Sequence, residues 1–203
     1  MTNQTTPFTV AAAQAAPFFL DRDKTVDKAC ELIKEAGKNN AKLIVFPEAF
    51  ISGYPDWVWL VPNGNGSLLN ELYTELVNNA VSIPDDSTQQ LCQAAKEAGI
   101  HVAMGVHEIN TESSGASLFN TILYIDDQGE ILGKHRKLIP TGGERLIWSQ
   151  GDGSTLQPTK HLLANWGDYY VGKTLCPWPD NPCTFKASRS MLRQPGTPAK
   201  IGY

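Results

Sequence analysis

Apolar positions recur along this chain in two different periods, and the changes of period mark its elements. Phe8-Thr9-Val10-Ala11-Ala12-Ala13 is short, apolar and partly β-branched, the pattern of a buried strand. After Asp21-Arg22-Asp23, residues Val26, Ala29, Cys30, Leu32, Ile33 and Ala36 recur at helical spacing, and Gly37 closes the run. Lys42-Leu43-Ile44-Val45-Phe46 is then a second apolar strand. Strand, helix, strand in that order is a βαβ unit, with parallel strands joined by a crossover helix. Further on, residues 68–77 read as helical, and Asp85-Asp86-Ser87 offers N-cap chemistry for a helix through Leu91, Cys92, Ala95 and Ala98 that Gly99 stops. Residues 100–106 and 118–125 read as strands, and Asp126-Asp127-Gln128-Gly129 as a turn into Ile131-Leu132, the end of a last strand. Repeats and low-complexity stretches are absent before about residue 155.

Chemistry concentrates after two of these strands. Pro47-Glu48 ends the second one, and a carboxylate at a strand's C-terminal end lies where open α/β sheets hold their ligands. Pro47 fixes φ just ahead of it, so Glu48 is a candidate general base on a stiff backbone. The stretch Gly133-Lys134-His135-Arg136-Lys137-Leu138-Ile139-Pro140-Thr141-Gly142-Gly143-Glu144-Arg145 reads as a basic, non-helical loop. Lys137 facing a glutamate could stabilise a tetrahedral anion. Glu144 reads as a second carboxylate of the same site or as an ion-pair partner for Arg136 or Arg145, and His135 as a titrating or a structural group. Tyr54, Trp57 and Trp59, in a Gly- and Pro-rich region, read as pocket lining or as packing.

Composition narrows the classes. The chain has 203 residues, enough for one domain with a sizeable core, and is 41% hydrophobic and 19% charged, as soluble globular proteins are. A formal charge of −4 argues against nucleic acid or an anionic membrane as partner, and no apolar run has the length of a membrane span. The first residues lack the basic and apolar regions of a signal peptide, which points to the cytoplasm. Of 4 cysteines, Cys30 and Cys92 sit in helical patterns as small buried hydrophobes, and no Cys/His spacing suggests a metal site.

Val45-Phe46-Pro47-Glu48-Ala49-Phe50, followed by Gly133-Lys134-His135-Arg136-Lys137-Leu138 with Pro140-Thr141 and Glu144-Arg145, resembles the nitrilase branch of the carbon–nitrogen hydrolases. Trp148 and Gln150-Gly151-Asp152-Gly153-Ser154 extend the likeness, which covers residues 8–157. The resemblance implies an α/β fold, half of an αββα sandwich, that assembles as a homo-oligomer in the intact family form. It implies a small-molecule nitrile as substrate, hydrolysed to acid and ammonia without metal or organic cofactor. By position, Glu48 matches the family's general base, Lys137 the lysine that stabilises the tetrahedral intermediate, and Glu144 a further carboxylate of the site. The family's nucleophile is a cysteine thiolate that attacks the nitrile carbon.

That cysteine is where the sequence departs from the family. A segment of the kind Gly-Gly-Leu-Ile-Cys-Trp-Glu-Asn should follow an apolar strand, and none is present. Residues 158–203 read instead as a Pro- and basic-rich tail without regular structure. Cys176 is flanked by prolines and follows no strand, so the nucleophile is not carried onto it. A second reading frame accounts for the tail. Codons built from the third base of one residue and the first two of the next give Cys or Arg from Tyr170-Val171. Val171-Gly172 then permits Trp, Gly172-Lys173 Glu, and Lys173-Thr174 Asn. Read through, that frame can spell Gly-Gly-Leu-Leu-Cys-Trp-Glu-Asn, which implies a single-base loss near Gln157-Pro158. Such a chain is expected to be catalytically inactive, with exposed sheet faces and edges. The alternatives are a non-catalytic family fragment that binds a partner or ligand, and an amidase of the same superfamily.

Overall fold

The computed structural model describes residues 8–112 and 114–155. The tail from 158, with Cys176 and Cys183 and the proposed frame change, lies outside the described residues. Five strands form one sheet in sequential order: β1 (Thr9–Ala12), β2 (Ala41–Val45), β3 (His101–Ile109), β4 (Leu118–Ile125) and β5 (Ile131–Arg136). The first three are mutually parallel, and β4 and β5 run antiparallel to their neighbours. The expected βαβ unit is thus present, with α1 (Arg22–Lys38) as its crossover. Helices α2 (Trp57–Leu60), α3 (Gly66–Asn78) and α4 (Asp86–Ala98) lie between β2 and β3.

Local chemistry sets the helix ends. Asp21 caps α1 by accepting from the Lys24 N–H at 3.1 Å. Asp85 accepts from the Thr88 N–H at 2.8 Å while Thr88 Oγ1 accepts from the Asp85 N–H at 2.8 Å, a reciprocal box opening α4. Gly99 ends that helix at φ 64°, a left-handed conformation suited to glycine. The short helix α2 was not foreseen, because Trp57-Val58-Trp59-Leu60 has too few turns to show a period.

Alternation along the strands sorts side chains to two faces. Ile44, Val102, Met104, Val106, Leu123 and Ile125 form one core with α1 and α4. The opposite face carries Leu43, Ala103, Ile122 and Tyr124, and toward the sheet's free edge Val10 and Val45 stay 45% and 40% exposed. A second core, with Trp57, Leu76, Leu118, Ile147 and Trp148, closes the end of the sheet where Glu48 lies. Cys30 and Cys92 pack only at the margin of the first core and remain partly exposed, because they sit on the flanks of α1 and α4 rather than on the buried stripe. Among the described residues no helix is long and apolar enough to cross a membrane.

The basic stretch is not a loop from Gly133. Gly133, at φ 155°, pairs with Tyr124, and Lys134, His135 and Arg136 continue β5 against Leu123, Ile122 and Thr121. What makes charged residues acceptable in this strand is a carboxylate that the periodicity did not single out. Glu108, 2% exposed on β3, accepts from Lys134 Nζ at 2.6 Å, from Arg136 at 2.6 and 3.0 Å, and from Thr121 Oγ1 at 2.8 Å. Burial pushes this carboxyl up, but the Arg136 and Lys134 bonds outweigh it and hold it below the ordinary carboxylate value. Glu108→Gln should therefore cost about 3 kcal/mol of stability at neutral pH, since it leaves the half-buried Arg136 guanidinium and Lys134 ammonium without their shared counter-charge. Urea unfolding checks this, and a loss below about 0.5 kcal/mol would show that the cluster is not needed.

Candidate active site

Glu48 is presented by a detour in the chain. β2 pairs with β3 as far as Phe46, whose N–H donates to Ala103 O at 2.9 Å, and pairing resumes at Ile51, whose N–H donates to Gly105 O at 3.0 Å. Between them, residues 47–50 rise over Gly105 on the face away from α1 and α4. Pro47 alone does not stiffen this arch. Ala49 is fully buried at φ 51°, a left-handed conformation that costs a non-glycine residue on the order of 1 kcal/mol.

Lys137 reaches the same place on that face from beyond the end of β5, across β4. Its N–H donates to Asn120 O at 2.8 Å, which extends the β4–β5 ladder by one residue, and Asn120 in turn pairs with His107. Consecutive strand residues point to opposite faces, so Arg136 goes to Glu108 and Lys137 goes to Glu48. After Pro140 the chain turns through a short 3₁₀ helix, Gly142–Leu146, which puts Glu144 beside Lys137. The expected non-helical loop is therefore half helical, with Gly142 at φ 55° beneath the Trp59 indole.

The three predicted residues meet. Lys137 Nζ donates to Glu48 Oε1 at 2.9 Å and to Glu144 Oε1 and Oε2 at 3.0 and 2.8 Å, so all three ammonium protons are engaged. Glu144 also accepts from the Tyr54 hydroxyl at 2.7 Å and from the Thr141 N–H at 2.6 Å. Lys137 and Glu144 are 3% and 5% exposed, whereas the Glu48 side chain is 22% exposed. Burial pushes the Lys137 ammonium down, but its bonds to Glu144 and Glu48 prevail and its pKa lies above the ordinary lysine value. Burial likewise pushes Glu144 up, and Lys137, Tyr54 and Thr141 together bring it below the ordinary carboxylate value. The result is a fixed anion, a fixed cation and a more open second carboxylate.

The other candidates separate from this centre. Arg136 and Arg145 are not partners of Glu144, because the first lies on the opposite face and the second donates to Pro140 O at 3.1 Å. His135 is 5% exposed, its Nδ1 has no hydrogen-bond partner, and burial pushes its pKa down, so it is neutral near pH 7. Trp57 is core rather than pocket, at 7% exposure, whereas Tyr54 touches Glu144 and Trp59, 56% exposed, covers Gly142-Gly143. The Cys30 and Cys92 thiols sit on α1 and α4, and burial raises the pKa of both, that of Cys30 to about 11. Neither has the thiolate character of a nucleophile.

Two residues that sequence reasoning passed over complete the frame. Asn120 donates through its side-chain amide to Glu48 Oε1 at 2.5 Å. Its signal was there: Asn120-Thr121 is a polar pair inside the otherwise apolar β4. His107 is fully buried; Trp148 Nε1 donates to its Nδ1 at 3.0 Å and its Nε2 lies 2.8 Å from Gly53 O. An indole only donates and a carbonyl only accepts, so His107 must be the neutral Nε2–H tautomer. Burial pushes its pKa down to about 4, and it ties Trp148 to the segment carrying Tyr54.

Comparison with known proteins places this geometry. The carbon-nitrogen hydrolase family model matches residues 9–168. The chain belongs to the carbon–nitrogen hydrolase family. It is 43% identical over 160 residues to a nitrilase of Bacillus sp. (strain OxB-1), covering 79% of this chain and 45% of that one. An aliphatic nitrilase of Sinorhizobium fredii is 39% identical over 178 residues, covering 84% and 53%. The chain thus spans about half the length of the curated relatives it matches. Among solved structures, an amidase of Nesterenkonia sp. superposes with a TM-score of 0.54 at 20% identity, covering 70% of this chain and 49% of that one. At that identity the likeness concerns the α/β fold of this hydrolase family alone.

Proposed function

We propose that this centre is the acid–base and anion-stabilising part of a nitrile hydrolase. Glu48 is its general base, Lys137 stabilises the tetrahedral intermediate, and Glu144 holds Lys137 charged and in place. The observation that carries the reading is the Lys137 ammonium, 3% exposed and held within 3.0 Å of both carboxylates. Nitrile rather than amide is supported by the names of the relatives, a nitrilase and an aliphatic nitrilase among them.

In the reaction so read, Glu48 takes the proton of a cysteine thiol, and sulfur bonds to the nitrile carbon to give a thioimidate. Proton return and addition of water give a tetrahedral species whose charge Lys137 offsets. Ammonia leaves, and a second water releases the acid from the thioester. Glu144, with donors on both oxygens, is held as an anion, so Glu48 is the carboxylate available for proton transfer.

The chain as written supplies Glu48, Lys137 and Glu144 but no in-frame nucleophile segment, so it does not turn nitriles over. Restoring the frame at Gln157-Pro158 should restore the homo-oligomeric, active form. Ammonia release from a panel of aliphatic and aryl nitriles, with the matching amides alongside, tests this. Turnover by the chain as written that disappears in Cys176→Ala would overturn it, as would coding DNA unreadable in the second frame. A frame-restored protein acting on amides alone would reassign it to the amidases.

A further inference from the structure

Two donors converge on one oxygen of Glu48. The Asn120 side-chain amide donates to Oε1 at 2.5 Å and Lys137 Nζ donates to the same atom at 2.9 Å. Among the described residues no hydrogen bond falls on Oε2. The orientation of the amide is not arbitrary, since an ionised carboxylate only accepts and must face the nitrogen of Asn120. Asn120 is 4% exposed, and its backbone carbonyl accepts the Lys137 N–H at 2.8 Å. One residue therefore fixes Lys137 through its main chain and Glu48 through its side chain.

The next residue shows what kind of device this is. Thr121 points to the other face and donates to Glu108 at 2.8 Å, so the two polar residues of β4 serve carboxylates on opposite sides of the sheet. Glu108 and Glu144 have donors on both oxygens, whereas the donors to Glu48 among the described residues both fall on one. The terminal torsion of a glutamate is broad and nearly two-fold, so an untethered carboxylate would offer either oxygen in turn. Donors on Oε1 alone remove that freedom.

We propose that Asn120 is a positioning residue which, with Lys137, occupies Oε1 of Glu48 and so presents Oε2 as the oxygen that takes up the proton. What supplies that proton rests on the nitrile-hydrolase reading; the coupling of Asn120 to Glu48 does not. The charged and titratable groups facing Glu48 are Lys137, Glu144 beyond it, and Tyr54.

The test is NMR spectroscopy of the full chain, following the Asn120 side-chain amide and the Glu48 carboxyl carbon from about pH 3 to 8. The amide signals are expected to move with the midpoint of the Glu48 carboxyl signal, and this response to vanish in Glu48→Gln. Amide signals that stay still through that titration, or still follow it in Glu48→Gln, would overturn the proposal. In Asn120→Leu, which loses the donor at nearly equal volume, the Glu48 carboxyl-carbon signal should shift from its position in the parent. An unmoved carboxyl-carbon signal in the folded variant counts equally against it; should that variant not fold, the parent's coupling decides. Absence of nitrile turnover would leave all these signals as they are, so the two readings fail separately.

Discussion

Lys137→Met is expected to lower stability by about 3–5 kcal/mol at pH 7, because it leaves two carboxylates facing each other without the ammonium between them. The loss carries a pH signature. In the parent, Glu144 titrates below the ordinary value of 4.5, so its contribution is complete above that value and is lost as pH falls through the lower folded one. The raised pKa of Lys137 makes its contribution complete below 10.5 and lost only at higher pH. In the variant only the Tyr54 and Thr141 bonds still oppose the burial of Glu144, so its folded pKa lies above the parent's, and the penalty is largest at neutral pH and eases on acidification. Urea unfolding at pH 7 and pH 5 should show the gap between the two proteins narrowing. A gap of equal size at both would mean that lost packing, not unpaired charge, is responsible.

Gly105→Ala is the second large effect, and it acts without touching a charged group. A Cβ at Gly105 would overlap Pro47 O, lie 2.7 Å from Ala49 N and 3.0 Å from the Glu48 carbonyl carbon. All three are backbone atoms of the arch that presents Glu48, so no side-chain rotation relieves the clash. Stability should fall by about 3 kcal/mol, and the Asn120 amide signal that reports on Glu48 should lose its pH response. Gly64→Ala, where an added Cβ meets nothing within 4 Å, is the control and should change stability by less than about 0.5 kcal/mol. An unchanged unfolding midpoint for Gly105→Ala would show that the arch can lift at little cost.

Much of the scaffold was legible because it is local. The Asp85 cap, the Gly99 stop and the apolar runs of β1, β2 and α1 are set by neighbours within a turn or a strand. β5 was cut short at Leu132 because Lys134 and Arg136 look like loop residues until Glu108, 26 and 28 positions away, is seen to neutralise them. Trp57 and Trp59 looked alike in sequence, yet one is core and the other covers Gly142-Gly143, a difference made by the direction of a four-residue helix.

By itself the sequence determined the βαβ start and the family, and it singled out Glu48, Lys137 and Glu144 as candidates, since each is written into a contiguous run of residues. Only the tertiary structure decided that these three converge, that Asn120 holds Glu48, and that Gly105 must lack a side chain. The contacts responsible span 89 residues from Lys137 to Glu48 and 72 from Asn120 to Glu48. Contacts of that range depend on strand register and on which face each residue takes. A shift of one residue in β5 would exchange the places of Arg136 and Lys137, and nothing local to either residue forbids it.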